Sequence, residues 1–364
     1  MGRAHRLAYR LIRPLLFSLD AERVHDWTIA LLARASRTDG ALRRLLTLER
    51  FDDPVELAGI RFPNRIGVAA GLDKEGRCIP ALAAMGFGFV EVGSCAPRGE
   101  TWVPPPRLHR IPEAWALINR IGLHRQGIDA LCEALGKVPS NIDPRSASPV
   151  RVGVNLACNT DTPAEHALSD YDIGLARAAP YADYFTINVS NPNAANRHVP
   201  RTASELQAWM ARMDEIRLAR ALPGRDPVPV FLKISPDLDA GDLAALTQAL
   251  LENRSTRRGS GLRWGLIASN TSARRDGVGQ SPQAALSGGL SGAPLKTRGD
   301  SRVRGLREAL GPEFPIIAAG GVMSAQDALD RLAAGADLLQ IYTGLVYVGP
   351  DLVAEIARAV RDGR

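Results

Sequence analysis

From residue 64 onward the chain repeats one alternation, a short apolar and largely β-branched run followed by a stretch with helical spacing. Eight such runs are present: Arg65–Ala70, Phe89–Gly93, Arg151–Leu156, Tyr184–Val189, Val230–Ile234, Gly265–Ser269, Ile316–Ala319 and Leu338–Ile341. Most are continuously apolar, the pattern of parallel strands covered on both faces. Ile79–Met85, Ala240–Leu251 and Ala325–Ala334 read as helices between them. Eight strands with crossover helices predict an α/β fold, a (β/α)₈ TIM-type barrel, and 364 residues hold one such domain with an appendage. A doubly wound sheet is the alternative, but its glycine fingerprint after the first strand is missing. Three intervals, 95–150, 190–228 and 270–314, exceed ordinary βα loops, and in a barrel long loops of this kind gather on the catalytic face. Residues 139–149 read as an exposed connector.

The first 50 residues differ from the rest. They hold ten arginines and five acids, a net of +5, while the remaining 314 carry 35 basic and 34 acidic side chains. A nearly neutral body argues against nucleic acid as a partner. The basic head suits an acidic one, such as an anionic membrane. Leu7, Leu11 and Leu15 form one i,i+4 ladder and Ala8, Ile12 and Leu16 the next, with Arg6, Arg10 and Arg13 opposite; Pro14 is expected to limit or kink this helix. Asp20 is placed to cap a second helix whose Val24, Trp27, Thr28, Leu31 and Ala35 share a face. Residues 1–50 therefore read as a two-helix head, either an interfacial anchor or a hairpin packed on the protein itself, and 51–364 as the barrel. No apolar run is long enough to span a bilayer. The four cysteines, Cys78, Cys95, Cys132 and Cys158, lack metal-ligand spacing and read as reduced thiols, so no metal is expected.

Polar residues and glycines collect where the strands end. The first strand runs into Ala70-Gly71-Leu72-Asp73-Lys74, the third ends at Asn155, and the fourth leads into Asn188-Val189-Ser190-Asn191-Pro192-Asn193. The sixth reaches Ser269-Asn270-Thr271. A ring of carboxamides, each both donor and acceptor, suits a planar amide-bearing ligand better than a metal. Gly320-Gly321 before a helix from Ser324, with Tyr342-Thr343-Gly344 on the next strand, forms the phosphate-binding pattern of barrel enzymes. Only four basic residues are lysines, and one of them, Lys233, lies inside an apolar strand, where an unpaired ammonium is costly. A phosphate-bearing ring such as flavin mononucleotide (FMN) satisfies both features; a sugar phosphate is the alternative.

The segments LFSLDAERVH, AAGLDKEG, MGFGFVEVGS, PRLHRIPEAWALINRIG, NVSNPN, FLKISPDL, GGLSGAPL, AAGGV and LLQIYTGLVYVGP closely resemble those of the membrane-associated, quinone-linked class 2 dihydroorotate dehydrogenases, over nearly the whole chain. The resemblance implies oxidation of dihydroorotate to orotate, with one noncovalent FMN and a membrane quinone as acceptor. It implies attachment to the cytoplasmic face of a bacterial inner membrane through the head, which becomes the quinone entrance. It implies FMN contacts from Ala70, Gly71, Leu72, Asp73, Lys74 and Ser94, from Asn155, Asn188, Lys233 and Ser269, and from Gly292, Gly321, Tyr342 and Thr343. The substrate cradle it implies comprises Lys74, Asn119, Arg120, Ile121, Gly122, Leu123, Asn188, Asn193, Asn270 and Thr271. Dihydroorotate carries one carboxylate and a cyclic diamide, so one ammonium with several carboxamides matches it group for group.

One position departs from the pattern at the chemistry. Membrane-bound members of the family carry a serine before the Pro-Asn of the NVSNPN loop, as the base that removes a ring proton; here Asn191 stands there, and a carboxamide cannot accept that proton. Further departures lie close by: Ala157-Cys158-Asn159-Thr160 where Gly-Lys-Asn-Lys is usual, Leu123-His124-Arg125 where Phe-Asn-Asn is usual, and Ser94 for threonine. A paralogous FMN oxidoreductase acting on another cyclic amide or acid, or a flavin-binding protein without turnover, are the other readings. Cys95, at a strand end, is a candidate to reach the site.

Overall fold

The apolar runs close on themselves. In a computed structural model, which describes residues 2–37, 41–48, 52–100, 103–139, 150–189, 202–256, 261 and 263–363, eight parallel strands form a closed barrel. The chain opens with helices α1 (Gly2–Ser18), α2 (Ala21–Arg37) and α3 (Ala41–Leu46), then the antiparallel hairpin β1 (Val55–Leu57) and β2 (Ile60–Phe62). Next come β3 (Ile66–Val68), α4 (Ile79–Ala84), β4 (Phe89–Cys95), the pair β5 (Leu108–Ile111) and β6 (Ala116–Asn119), and α5 (Gly127–Leu135). Then follow β7 (Arg151–Leu156), α6 (Ala167–Ala178), β8 (Tyr184–Asn188), α7 (Ala203–Ala219), β9 (Val230–Ile234) and α8 (Ala240–Thr256). The last part comprises β10 (Trp264–Ala268), β11 (Gly289–Gly292), α9 (Lys296–Leu310), β12 (Ile316–Ala319), α10 (Ala325–Ala333), β13 (Leu338–Ile341), α11 (Thr343–Val348) and α12 (Asp351–Asp362).

Around the barrel the order is β10-β12-β13-β3-β4-β7-β8-β9, so the last strand, β13, pairs with the first, β3. Each predicted strand is present to within two residues, and the doubly wound alternative is excluded. The long intervals are only partly loop. They contain α5, α7 and α9, together with a three-stranded antiparallel sheet, β11-β6-β5, in which Gly289 pairs with Asn119. The connector 139–149 lies almost wholly outside the described residues.

The barrel interior is layered because inward side chains recur every second residue. Its lower layer is aromatic: Phe62, brought in by the hairpin, meets Phe89 edge-on at 5.3 Å, and Tyr184 meets Phe231 at 5.4 Å. Small residues make room for these rings; a Cβ on Gly67 or Gly153 would fall within 2.3 Å of the Phe89 or Tyr184 ring. One inward step higher the side chains turn polar, with Glu91, Thr186, Lys233 and Gln340 all buried.

The head is docked on the barrel. Asp20 caps α2 as expected, accepting from the amides of Glu22 (3.1 Å) and Arg23 (2.9 Å). Helix α1 runs through Pro14 without ending there. Arg13 does not lie on an outer polar face; it donates to the Tyr347 carbonyl at 2.7 Å, and the Tyr9 hydroxyl donates to the Val346 carbonyl at 2.6 Å. Phe17 packs edge-on against Tyr347 at 5.3 Å, with the Arg110 guanidinium 4.8 Å from its ring centre. Gly349, between α11 and α12, has φ +96°, and a Cβ there would stand 2.6 Å from the Tyr9 ring, so glycine serves both the turn and the dock. A buried pair, Glu22 with Arg107, ties α2 to the segment before β5. The face expected on α2 divides: Ala35 is fully buried, whereas Trp27 (60% exposed) and Leu31 point outward, as do Leu11, Ile12, Leu15 and Leu19.

Candidate active site

A pocket opens at the C-terminal end of the barrel, its wall built from the ends of seven strands and from β6 and β11. Most of the residues singled out in the sequence meet there: Ala70, Gly71, Lys74 and Ser94; Asn119, Ile121, Gly122 and Leu123; Asn188, Lys233, Ser269, Asn270 and Thr271; and Gly321, Tyr342 and Thr343.

Three carboxamide and hydroxyl groups form a chain across the mouth. Asn270 donates to the Asn188 Oδ1 at 3.3 Å, and Asn188 donates to the Ser94 Oγ at 3.0 Å, linking the ends of β10, β8 and β4. Asn270 Oδ1 also accepts from the Thr271 amide at 2.8 Å, which fixes which end of that carboxamide faces Asn188. Asn119 arrives from the opposite side on β6, whose pairing with β11 also brings Ser291 to the wall and within 2.9 Å of the Thr343 hydroxyl.

Lys74 donates to the Gly122 carbonyl, joining the AAGLDK and NRIG segments. Burial, with the Arg107 and Arg125 cations nearby, pushes its ammonium down to about 7, against an opposing pull from Glu22. A carboxylate placed beside Nζ would favour the charged form.

The floor was only half legible. Lys233 finds its anionic partner within the protein, Glu91 Oε1 at 3.3 Å. Glu91, wholly buried on β4, also accepts from Asn155 Nδ2 (2.7 Å), Gln340 Nε2 (2.6 Å), Thr186 Oγ1 (3.1 Å) and the Tyr184 hydroxyl (3.3 Å). Glu91 and Gln340 were missed, although each is a polar residue within an apolar strand, the same signal that marked Lys233. Because both amino groups turn to Glu91, the Asn155 Oδ1 and Gln340 Oε1 atoms are buried without any partner. These two acceptors, close to the Lys233–Glu91 pair, are open to a further donor. A planar ring with an N–H flanked by carbonyls, as in the pyrimidine edge of a flavin, supplies one.

Several expected contacts are placed elsewhere. Asp73 turns away from the pocket, and its carboxylate accepts from the Arg77 (3.0 Å) and Cys78 (2.7 Å) amides; burial holds it up at about 6. Leu72 belongs to the hydrophobic core. Arg120 reaches Ser287 at 3.3 Å, and Asn155 lies beside Glu91 rather than on the wall. Gly292 packs its backbone against Trp115 and Ala116. Ser324 caps α10 itself, accepting from the Asp327 amide at 3.1 Å, and residues 320–322 and 342–344, not that helix end, line the pocket on this side. Cys95 is fully buried, and burial pushes its thiol up, the reverse of what a thiolate base requires. His124 is buried beside the pocket, its ring Nδ1 accepting from the Gln126 amide at 3.1 Å. Asn191 and Asn193 lie outside the described residues.

Comparison with known proteins agrees with this geometry. The profile of the dihydroorotate dehydrogenase family matches residues 54–362. A dihydroorotate dehydrogenase (quinone) of Acidovorax sp. (strain JS42) is 45% identical over 358 residues, 98% of this chain and 99% of the relative. One from Delftia acidovorans is 44% identical over 97% of this chain and 98% of its own length. Among solved structures, the Eimeria tenella enzyme in complex with ferulenol superimposes with a TM-score of 0.81 at 29% identity, covering 94% of this chain and 91% of that one. Its ligand-free form gives 0.80 at 30% identity, covering 93% of each chain.

Proposed function

The chain belongs to the dihydroorotate dehydrogenase family, and from that premise we propose that it oxidises dihydroorotate to orotate on one noncovalent FMN and passes the electrons to a membrane quinone. The observation that carries this reading is a pocket with one ammonium, Lys74, facing a ring of carboxamides above a floor that holds Lys233 and Gln340, with the orphaned oxygen of Asn155 buried behind it. FMN, when bound, accepts a hydride from the dihydroorotate ring and later yields its electrons to the acceptor. Lys74 meets the substrate carboxylate, while Asn119, Asn188 and Asn270 meet the cyclic diamide, each as donor and acceptor. The Asn270–Asn188–Ser94 chain sets the height of the substrate amides above the floor.

Acceptor entry is assigned to the head. Phe17 and Ala21 of the head pack in one apolar cluster with Ile121, Met323 and Tyr342, and the last three also line the pocket. Outside, Leu11, Ile12, Leu15, Leu19, Trp27 and Leu31 form an exposed apolar surface on an arginine-rich segment, which fits peripheral attachment to the cytoplasmic face of a bacterial inner membrane. No helix among the described residues is long and apolar enough to cross a membrane.

Asn191 leaves the proton at ring C5 without a side-chain acceptor, so water or hydroxide takes it and flavin reduction quickens toward high pH. Asn191→Ser raises the rate of flavin reduction by ~10²-fold or more with little change in substrate affinity, because a base acts in the transition state. The measurement is anaerobic stopped-flow reduction of bound FMN by dihydroorotate, followed by reoxidation with a soluble quinone. Orotate binding without flavin reduction in both proteins indicates lost turnover. Failure of both to bind orotate replaces dihydroorotate with a different cyclic amide or acid, the reading that Asn191 itself favours.

A further inference from the structure

Glu91 is a wholly buried carboxylate in the same layer as the floor residues Lys233 and Gln340, and the reaction assigned above gives it no proton to move. Its surroundings show what it does instead. Oε1 accepts from Asn155 and Lys233, and Oε2 accepts from Gln340, Thr186 and Tyr184. A carboxylate can only accept, so it fixes which end of each neighbouring carboxamide faces it. Turning either amide round would set carbonyl against carboxylate and forfeit a bond to a charged acceptor. The orphaned Asn155 and Gln340 oxygens are therefore a consequence of Glu91, which also holds the Lys233 ammonium at 3.3 Å.

We propose that Glu91 is a positioning residue for the flavin: its carboxylate orients the carboxamides of Asn155 and Gln340 so that the floor presents two acceptors, and it holds and partly offsets the Lys233 ammonium at the pyrimidine edge of the ring. The proposal rests on the FMN reading given above. It assigns Glu91 two effects, one on flavin affinity through the acceptor pattern and one on the flavin's reduction potential through net charge beneath the ring.

Glu91→Gln separates these effects from a role in folding. The new amide brings an N–H₂ where an acceptor stood, so a neighbouring carboxamide must turn its oxygen inward and present N–H₂ to the flavin. Titration of the apoprotein with FMN, followed by fluorescence, is expected to give at least tenfold weaker binding than wild type. Redox titration of the reconstituted protein is expected to show a more positive midpoint potential, because the ammonium beneath the reduced ring is no longer offset. A variant that melts lower but binds FMN within twofold of wild type at an unchanged potential makes Glu91 merely structural and overturns the proposal. If Glu91→Gln does not fold, Tyr184→Phe removes one donor 3.3 Å from Oε2 and leaves the carboxylate in place. With less of its charge neutralised, Glu91 should then move the potential in the opposite, negative direction; an unmoved potential overturns the proposal. Wild-type apoprotein that fails to bind FMN overturns the flavin reading and this inference together, whereas unaltered variants beside a flavin-binding wild type overturn this inference alone.

Discussion

The two ends of the barrel are built on the same strands yet do opposite work. On β4, β8, β9 and β13 a two-residue step changes the inward side chain from Phe89 to Glu91, Tyr184 to Thr186, Phe231 to Lys233 and Leu338 to Gln340. The lower layer is closed by aromatic contacts that need no ligand. The upper layer leaves two acceptors unsatisfied, and it carries one lysine at its floor and another at its mouth. Stability and binding are thus stacked rather than mixed, and Tyr184 is the seam, with its ring among the aromatics and its hydroxyl on Glu91.

The largest effect that tests this division is Phe89→Ala. It removes a fully buried ring and should cost ~3–5 kcal/mol of stability. Below its melting temperature the folded protein should still bind FMN as wild type does, measured by flavin titration alongside thermal unfolding; a matching loss of affinity would mean the layers are coupled. Lys233→Met is the converse. It should weaken FMN retention ~10–10²-fold, the worth of a bond to a charged donor, with a smaller effect on apoprotein melting. Retained flavin occupancy on gel filtration would make that lysine structural.

A finer test concerns Lys74, whose ammonium is pushed down to about 7 by burial and by the Arg107 and Arg125 cations. A carboxylate ligand favours its protonated form. Orotate affinity should therefore be flat below about pH 7 and weaken up to tenfold per unit as the pH rises above it, until the ammonium of the complex itself titrates. Lys74→Met should bind orotate weakly with no such slope, as isothermal titration across pH 6–9 would reveal. The smallest effect concerns the head. Replacing the exposed Leu15 and Trp27 together by glutamate should reduce sedimentation with anionic vesicles about tenfold or more, leaving flavin content unchanged. Unaltered sedimentation would assign that surface to a protein contact.

The strands were legible because burial on both faces writes an apolar run, and the lysines because a charge in such a run stands out. Gln340 and Glu91 carried the same mark, but a single odd residue does not disclose its partner, and Glu91 lies 249 residues from Gln340. The β11-β6-β5 sheet was hidden for a similar reason, since Gly289 and Asn119 are joined only by folding. The docking of the head was one of two open readings, and its contacts could not be named because Tyr9 and Arg13 bind main-chain carbonyls, which every residue has. Asp73 entered only through the resemblance, and its place as the anchor of the following turn comes from backbone amides, which no residue type reveals.

The docking of α1 on α11 and α12 also sets an order of events during translation. The head leaves the ribosome long before the segment it docks on, since Tyr9 and Arg13 hold on to carbonyls 337 and 334 residues later. The strand that closes the barrel, β13, emerges immediately before them. Throughout synthesis the head therefore has no dock, and its leucines and Trp27 remain available to the nearest apolar surface. For a nascent chain made beside a bilayer that surface is lipid, so the segment can be seated before the domain it serves exists. Made far from one, the same segment is the part of the molecule most exposed to premature association.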